Sequence, residues 1–280
     1  MKEDRPSATA LRVAIRRATH QVMDDPKVFH DPLALRIVGE ENVSSAAQLE
    51  QTPISRGLRM SLAIRSRYAE DELQIAIKRG VGQYVILGAG LDTFAYRHPY
   101  SDDVLHVFEV DHPATQAWKR ARLEEAGIAI PRTLTFSPVD LEAQTLEEGL
   151  VGSGLDTSKC TFFSWLGVTQ YLTSSAIDDT LRFVASMPTG SGIVFDYTIS
   201  PSLLNPRARV AFDRLAHRVA LAGEPFQSFF DPSWLKASLR AMGFGQIEDF
   251  GAEEMNARYL GERSDQLRTG SFSHLMNARV

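Results

Sequence analysis

Gln83-Tyr84-Val85-Ile86-Leu87-Gly88-Ala89-Gly90-Leu91-Asp92-Thr93 decides the fold of this chain, because an apolar run leads directly into a glycine turn that closes on an acid. Tyr84 to Leu87 read as a strand buried on both faces. Gly88 and Gly90, with Ala89 between them, let the backbone turn sharply and approach a ligand with no Cβ in the way. A dinucleotide fingerprint carries a third glycine three residues after the second, and that position is Thr93. Asp92 sets a negative charge where a pyrophosphate would approach, which calls for a ligand with a cationic or neutral group there. The turn therefore suits S-adenosylmethionine better than NAD.

The next strand supplies an acid for the ribose hydroxyls. Val104 to Val110 is a β-rich run ending at Asp111, 21 residues beyond Gly90, against an expected offset of about 20. Glu109 falls on the same side of the strand and competes for the role. Asp111 is favoured because it ends the strand just before His112-Pro113, where a helix begins.

Working outward, helix and strand alternate after an N-terminal helical segment, as in an α/β doubly wound parallel sheet. Helices are expected at residues 8–23, 56–79, 114–126 and 174–187, with Pro26, Pro32 and Pro53 punctuating an irregular stretch between the first two. Strands are expected near 83–87, 104–110, 133–137, 160–165 and 191–197. Residues 201–230 break the alternation with a mainly helical insertion whose Phe212, Leu215, Phe226, Phe229 and Phe230 give it an apolar face, the composition of a lid over a ligand cavity. The chain reads as one domain over 1–280: a helical cover (1–80), a cofactor-binding core (81–200), the lid (201–230), and C-terminal strands and helices (231–280).

Composition fits one large α/β domain. The 280 residues are 44% hydrophobic and 23% charged, enough for a sizeable core. Thirty Lys and Arg against 35 Asp and Glu leave a net charge of −5 with no basic block, which disfavours a nucleic-acid partner. Cys160 is the only cysteine, so an intrachain disulfide and a cysteine-rich zinc site are ruled out; beside Thr161-Phe162-Phe163 it reads as a buried structural thiol. The polar N-terminus and the lack of a long apolar run point to a cytoplasmic protein with no membrane association.

The blocks Leu87-Gly-Ala-Gly-Leu-Asp-Thr93, Ala95-Tyr-Arg97 and Phe108-Glu-Val-Asp-His-Pro113 resemble the leucine carboxyl methyltransferase family, and most closely its bacterial branch of S-adenosyl-L-methionine-dependent O-methyltransferases. Arg65-Ser66-Arg67-Tyr68 with Glu70-Asp71, Phe162 to Leu172, Phe195-Asp-Tyr197 and Asn256 to Asp265 resemble further family blocks, so the likeness spans most of the chain. It implies a Rossmann-like sheet of seven strands, the last two near 245–250 and 271–276, and S-adenosyl-L-methionine as cofactor. It also implies that an arginine holds the cofactor's methionine carboxylate; Arg65 is the first choice, and Arg67 the reserve, with a surface ion pair to Glu70 or Asp71 as its alternative. Resemblance and chemistry together assign Asp140 to the adenine amino group and the Leu141 amide to a ring nitrogen, in competition with Asp140 as N-cap of a helix at 142–150. Asp92 has a rival role as an acid at a helix start. Many family members carry a glutamate before the glycine where this chain has Leu166-Gly167. That leaves the cofactor's ammonium to backbone carbonyls near Ser164 and Trp165, or to Asp92.

Methyl transfer from a sulfonium is an in-line displacement in which the protein mainly positions and desolvates the acceptor. A carboxylate acceptor of a small molecule needs no base, whereas a hydroxyl does. Tyr171 and Tyr197, at strand ends, are expected to face the acceptor, and His20 stands with His30, His217 and His274 among the histidines to consider; no catalytic base is assigned. Two alternatives stay open: a nicotinamide-dependent oxidoreductase, which Thr93 and Asp92 oppose, and a degenerate cofactor-binding protein without turnover, which Leu166 keeps in play.

Overall fold

Five short, apolar segments, too rich in β-branched and aromatic residues to favour helix, form the parallel part of the sheet: β1 (Gln83–Leu87), β2 (His106–Asp111), β3 (Leu134–Pro138), β4 (Thr161–Trp165) and β5 (Gly192–Thr198). The computed structural model describes residues 7–265 and 267–280. β6 (Gln246–Phe250) and β7 (Ser273–Arg279) complete a seven-stranded sheet of order β3-β2-β1-β4-β5-β7-β6. β7 runs antiparallel to both neighbours, so the sheet is mixed where the alternation of elements predicts a parallel one.

Ten helices flank the strands among the described residues: α1 (Ala8–Met23), α2 (Ala34–Val38), α3 (Glu40–Glu50), α4 (Pro53–Lys78), α5 (Pro113–Glu125), α6 (Leu146–Gly152), α7 (Ser174–Ala185), α8 (Pro206–Leu221), α9 (Pro232–Met242) and α10 (Ala252–Leu260). The stretch between α1 and α4 is irregular only over residues 24–33, where Pro26 and Pro32 sit, and then becomes α2 and α3; Pro53 is the first residue of α4, where its missing N–H costs no hydrogen bond. α4 lays Met60, Ile64, Tyr68 and Leu73 against Tyr84, Ile86, Phe162 and Val194 of the sheet. The opposite face buries Val85, Phe108, Phe163, Trp165 and Phe195 under α7 and α9.

Strand order reverses between β1 and β4, so their carboxyl ends open side by side, the position where open α/β sheets bind ligands. Leu87 pairs with Trp165 there, which sets the Gly88 turn beside Leu166 and Gly167. α8, from the insertion, and α1, α3 and α4, from the N-terminal cover, supply the walls above this edge. No helix among the described residues is long and apolar enough to cross a membrane.

Candidate active site

The glycine turn is fixed by backbone demand. Gly88 and Gly90 have φ of 66° and 47°, a region in which side chains are strained. A Cβ on Gly88 would lie 2.3 Å from Val168 Cγ2, and one on Gly90 3.3 Å from Ala10 Cβ, so α1 and the loop after β4 close on the turn itself. The Gly88 and Ala89 amides donate to Val110 O at 2.8 and 3.0 Å. The Gly90 amide donates to Asp111 Oδ2 at 2.5 Å, and the His112 amide to Oδ1 at 2.7 Å. Burial pushes the Asp111 carboxyl above the usual carboxylate range, and these amides only partly oppose it.

Glu109 does not share this position. It is completely buried, with Lys119 Nζ at 2.7 Å and the Tyr96 hydroxyl donating at 3.2 Å. Burial drives its carboxyl up to about 7 despite the Lys119 charge. Of the two acids that share one side of β2, only Asp111 lines the cavity at the strand end.

Asp92 accepts from Arg17 Nη1 at 2.6 Å and from the Phe94 amide at 2.7 Å, at the start of a short 3-10 turn over Phe94–Tyr96. Burial opposes its charge, but Arg17, Lys119 and Arg97 outweigh that and hold the carboxyl well below the usual range. Arg17 also donates to Asp31 at 2.8 Å, and Thr93 Oγ1 donates to the same Asp31 at 2.7 Å. Thr93, in place of a third glycine, is thus a buried anchor for the N-terminal cover.

A cavity of about 260 Å³ lies against the turn and brings together Arg65, Gly88, Ala89, Gly90, Asp92, Asp111, His112, Asp140, Leu141 and Ser164, all anticipated from the sequence. His112 caps α5, accepting from the Ala114 amide, and its Nε2 is 3.7 Å from Asp140 Oδ2. Asp140 is not the cap of α6: that helix starts at Leu146, and Thr145 caps it in a box with Glu148. Asp140 instead accepts from the Glu142 amide at 3.1 Å, which leaves its other oxygen toward His112 and the cavity. Ser164 Oγ is engaged with the Tyr84 hydroxyl at 2.7 Å, and the Trp165 indole is buried in the core.

A second cavity of about 600 Å³ adjoins the first. Thr9, Val13, Arg65, Gly167 and Tyr171 line both and form a collar between them. Arg65 Nη1 donates to Asp196 Oδ2 at 2.9 Å, and the Gly167 amide donates to Asp196 Oδ1. A Cβ on Gly167, whose φ is 77°, would meet the Arg65 guanidinium at 2.6 Å. Arg67 stays outside, paired with Asp71 on the surface. The insertion roofs the larger cavity with Leu215, Val219 and Phe226, and Phe226 lies 5.4 Å from the Tyr171 ring.

Two expected substrate residues fall elsewhere. Tyr197 is fully buried on the other face of β5, donating to Asp249 at 2.9 Å, because side chains alternate along a strand and Asp196 takes the cavity side. His20 is a buried packing residue: Nε2 accepts from the Val28 and Phe29 amides at 3.2 Å each, and Nδ1 faces Asp24 at 2.9 Å. Cys160 is only half-buried, its thiol donating to Thr189 O. Three contributors escaped the sequence: Asp196, Arg17, and Glu224, which follows α8, lines the smaller cavity and accepts from the Thr9 amide at 3.0 Å. Asp196 alone left a signal, a single acid inside the apolar run of β5.

A sheet of this order with a glycine turn, a strand-end acid and a cavity at the switch point is the architecture expected of an S-adenosyl-L-methionine-dependent methyltransferase. Residues 10–185 match the leucine carboxyl methyltransferase family, and the chain belongs to it. It is 33% identical to the Bacillus subtilis (strain 168) protein named "Putative S-adenosyl-L-methionine-dependent methyltransferase YktD", covering 99% of both chains. A Mycobacterium marinum protein with the same name apart from the symbol is 33% identical over 69% of this chain and 67% of its own. In fold the chain is similar to a crystal structure of a "putative methyltransferase" from Thermobifida fusca YX, with a TM-score of 0.60 at 15% identity, covering 98% and 95% of the two chains.

Proposed function

We propose that this enzyme transfers a methyl group from S-adenosyl-L-methionine to an oxygen of a small molecule, a carboxylate or a hydroxyl, in the cytoplasm. The observation that carries this reading is the pair of cavities meeting at the collar of Thr9, Val13, Arg65, Gly167 and Tyr171. The smaller cavity fits the cofactor: Asp111 has lone pairs left for the ribose hydroxyls beyond the two amides it accepts, Asp140 and Leu141 flank the adenine wall, and Arg65 stands at the methionine end. Asp92 and Glu224 are the carboxylates on that wall suited to the ammonium in the absence of an acid at Leu166. When bound, the cofactor supplies an electrophilic methyl group.

The chain's own residues position and desolvate the acceptor. Apolar walls strip water from its oxygen, and Tyr171 orients it at the collar. A carboxylate is favoured over a hydroxyl, since no histidine lines the larger cavity among the described residues and its carboxylates, Glu50 and Asp196, are held in ion pairs. A metabolite screen with radiolabelled methyl donor, followed by base treatment of the product, tests this. A base-labile methyl ester is expected; label found only on nitrogen, carbon or nucleic acid would overturn it.

A further inference from the structure

α1 presents two faces to two cavities. Ala10, Ala14 and Arg17 face the smaller one, Thr9 and Val13 form the ridge of the collar, and Arg12 and Arg16, one turn apart, face only the larger one. Arg218 on α8 reaches the same cavity from the insertion. The three guanidiniums are close enough to interact: burial lowers the Arg16 pKa, Glu50 opposes this, and the Arg218 and Arg12 charges lower it further.

Their charge is only partly balanced locally. Arg16 Nε is 3.1 Å from Glu50 Oε1 but lacks the alignment of a hydrogen bond. Glu50 is shared with the buried Arg59, whose Nη1 takes the Glu50 carbonyl at 2.7 Å and Oε2 at 3.3 Å. Neither Arg12 nor Arg218 has an ion-pair partner among the described residues. Arg12, Arg16, Arg65 and Arg218 thus face only Glu50 and Asp196 across the cavity wall, in a chain whose net charge is −5. Leu49, Leu58, Leu62, Leu215 and Phe226 give the wall its apolar part, interspersed with hydroxyl and amide groups such as Thr52, Ser55, Ser61 and Gln170.

With the larger cavity read as the acceptor's, we infer that its substrate is an amphipathic anion whose negative group is held by Arg12, Arg16 and Arg218 while its apolar body fills the cavity. These arginines lie outside the collar, so the group they hold is a handle for selection, separate from the oxygen that receives the methyl group. Guanidiniums suit a carboxylate, sulfate or phosphate through paired N–H donors.

Calorimetry on the full chain with saturating S-adenosyl-L-homocysteine tests this, using decanoate, decanol and decylamine as probes matched in length. Decanoate is expected to bind, and decanol and decylamine to bind far more weakly. In the Arg12→Gln/Arg218→Gln variant, both changes at exposed positions, decanoate should weaken roughly tenfold or more, with decanol unchanged. Equal binding of the three probes, no binding of decanoate, or an unchanged decanoate affinity in the variant would overturn the inference. S-adenosyl-L-homocysteine binding on the same samples separates the two readings: its loss in the wild-type protein overturns the methyl-transfer reading, and its retention without anion preference overturns only the handle.

Discussion

Replacing Asp111 by Asn keeps the size of the side chain and removes its charge and one acceptor. In the folded protein the two carboxylate oxygens already accept from the Gly90 amide at 2.5 Å and the His112 amide at 2.7 Å. Each oxygen has a further lone pair that a ribose hydroxyl can use. An asparagine keeps one acceptor for the Gly90 amide and turns an NH2 toward the ligand hydroxyls or toward His112, so at least one charged hydrogen bond is lost. Hydrogen bonds to charged groups contribute about 1.5–3 kcal/mol each, and part of the loss is returned because burial already disfavours the Asp111 charge. A net weakening of about 1–3 kcal/mol, or about 5- to 150-fold in Kd, follows for S-adenosyl-L-homocysteine. Calorimetry measures it, with a thermal melt confirming that the variant is folded. Unchanged affinity in a folded Asp111→Asn protein would refute the reasoning outright, because Glu109 is buried against Lys119 and cannot take over the role.

Three further perturbations probe the supports of the site. Gly167→Ala places a Cβ at positive φ against the Arg65 guanidinium, so a stability loss of about 1–2 kcal/mol and a roughly tenfold or larger fall in kcat/KM are expected; a variant with wild-type turnover would show that the collar geometry is not needed. Arg17→Met removes the cation shared by Asp31 and Asp92 and should cost about 3 kcal/mol or more in urea denaturation, since Asp92 loses its ion pair and Asp31 is left with Arg97 at 3.5 Å and Thr93; a change under about 1 kcal/mol would contradict the buried network. The Glu109 carboxyl is raised from 4.5 to about 7, so between those values the folded protein keeps a proton the unfolded chain has lost, and stability falls as pH rises through that window by up to about 3 kcal/mol. Glu109→Gln should flatten that slope between pH 5 and 8, and parallel slopes in both proteins would refute the assignment.

The five parallel strands were legible because they are short runs rich in apolar and β-branched residues, and each lies within about two residues of its expected place; β6 and β7, with the polar sequences Gln246-Ile-Glu-Asp-Phe250 and Ser273-His-Leu-Met-Asn-Ala-Arg279, were expected only from the family resemblance. The glycine turn and Asp111 were picked out by local chemistry and order along the chain and Arg65 by the family resemblance, and all of them line the smaller cavity. What escaped depends on tertiary approach. α3 is polar, Glu40–Glu50, and is held by packing on α1 and α4 more than by its own pattern. The cap role of Asp140 stayed open beside its cavity role although Thr145-x-x-Glu148 spells a capping box five residues later. Tyr197 and Asp196 are neighbours on one strand, and alternation allows only one of them to face the cavity; strand position alone does not choose between them. His20 shows the opposite failure: a titratable group on a helix near the site whose two nitrogens are both consumed by local bonds.

The central claim is that the cavity at the Gly88–Gly90 turn holds S-adenosyl-L-methionine. Calorimetric titration of the unmodified protein with S-adenosyl-L-methionine, S-adenosyl-L-homocysteine and NAD tests it most directly. Saturable binding of both sulfur ligands at one site per chain, with no binding of NAD, is the predicted result; binding of NAD, or no binding of either sulfur ligand, would contradict it.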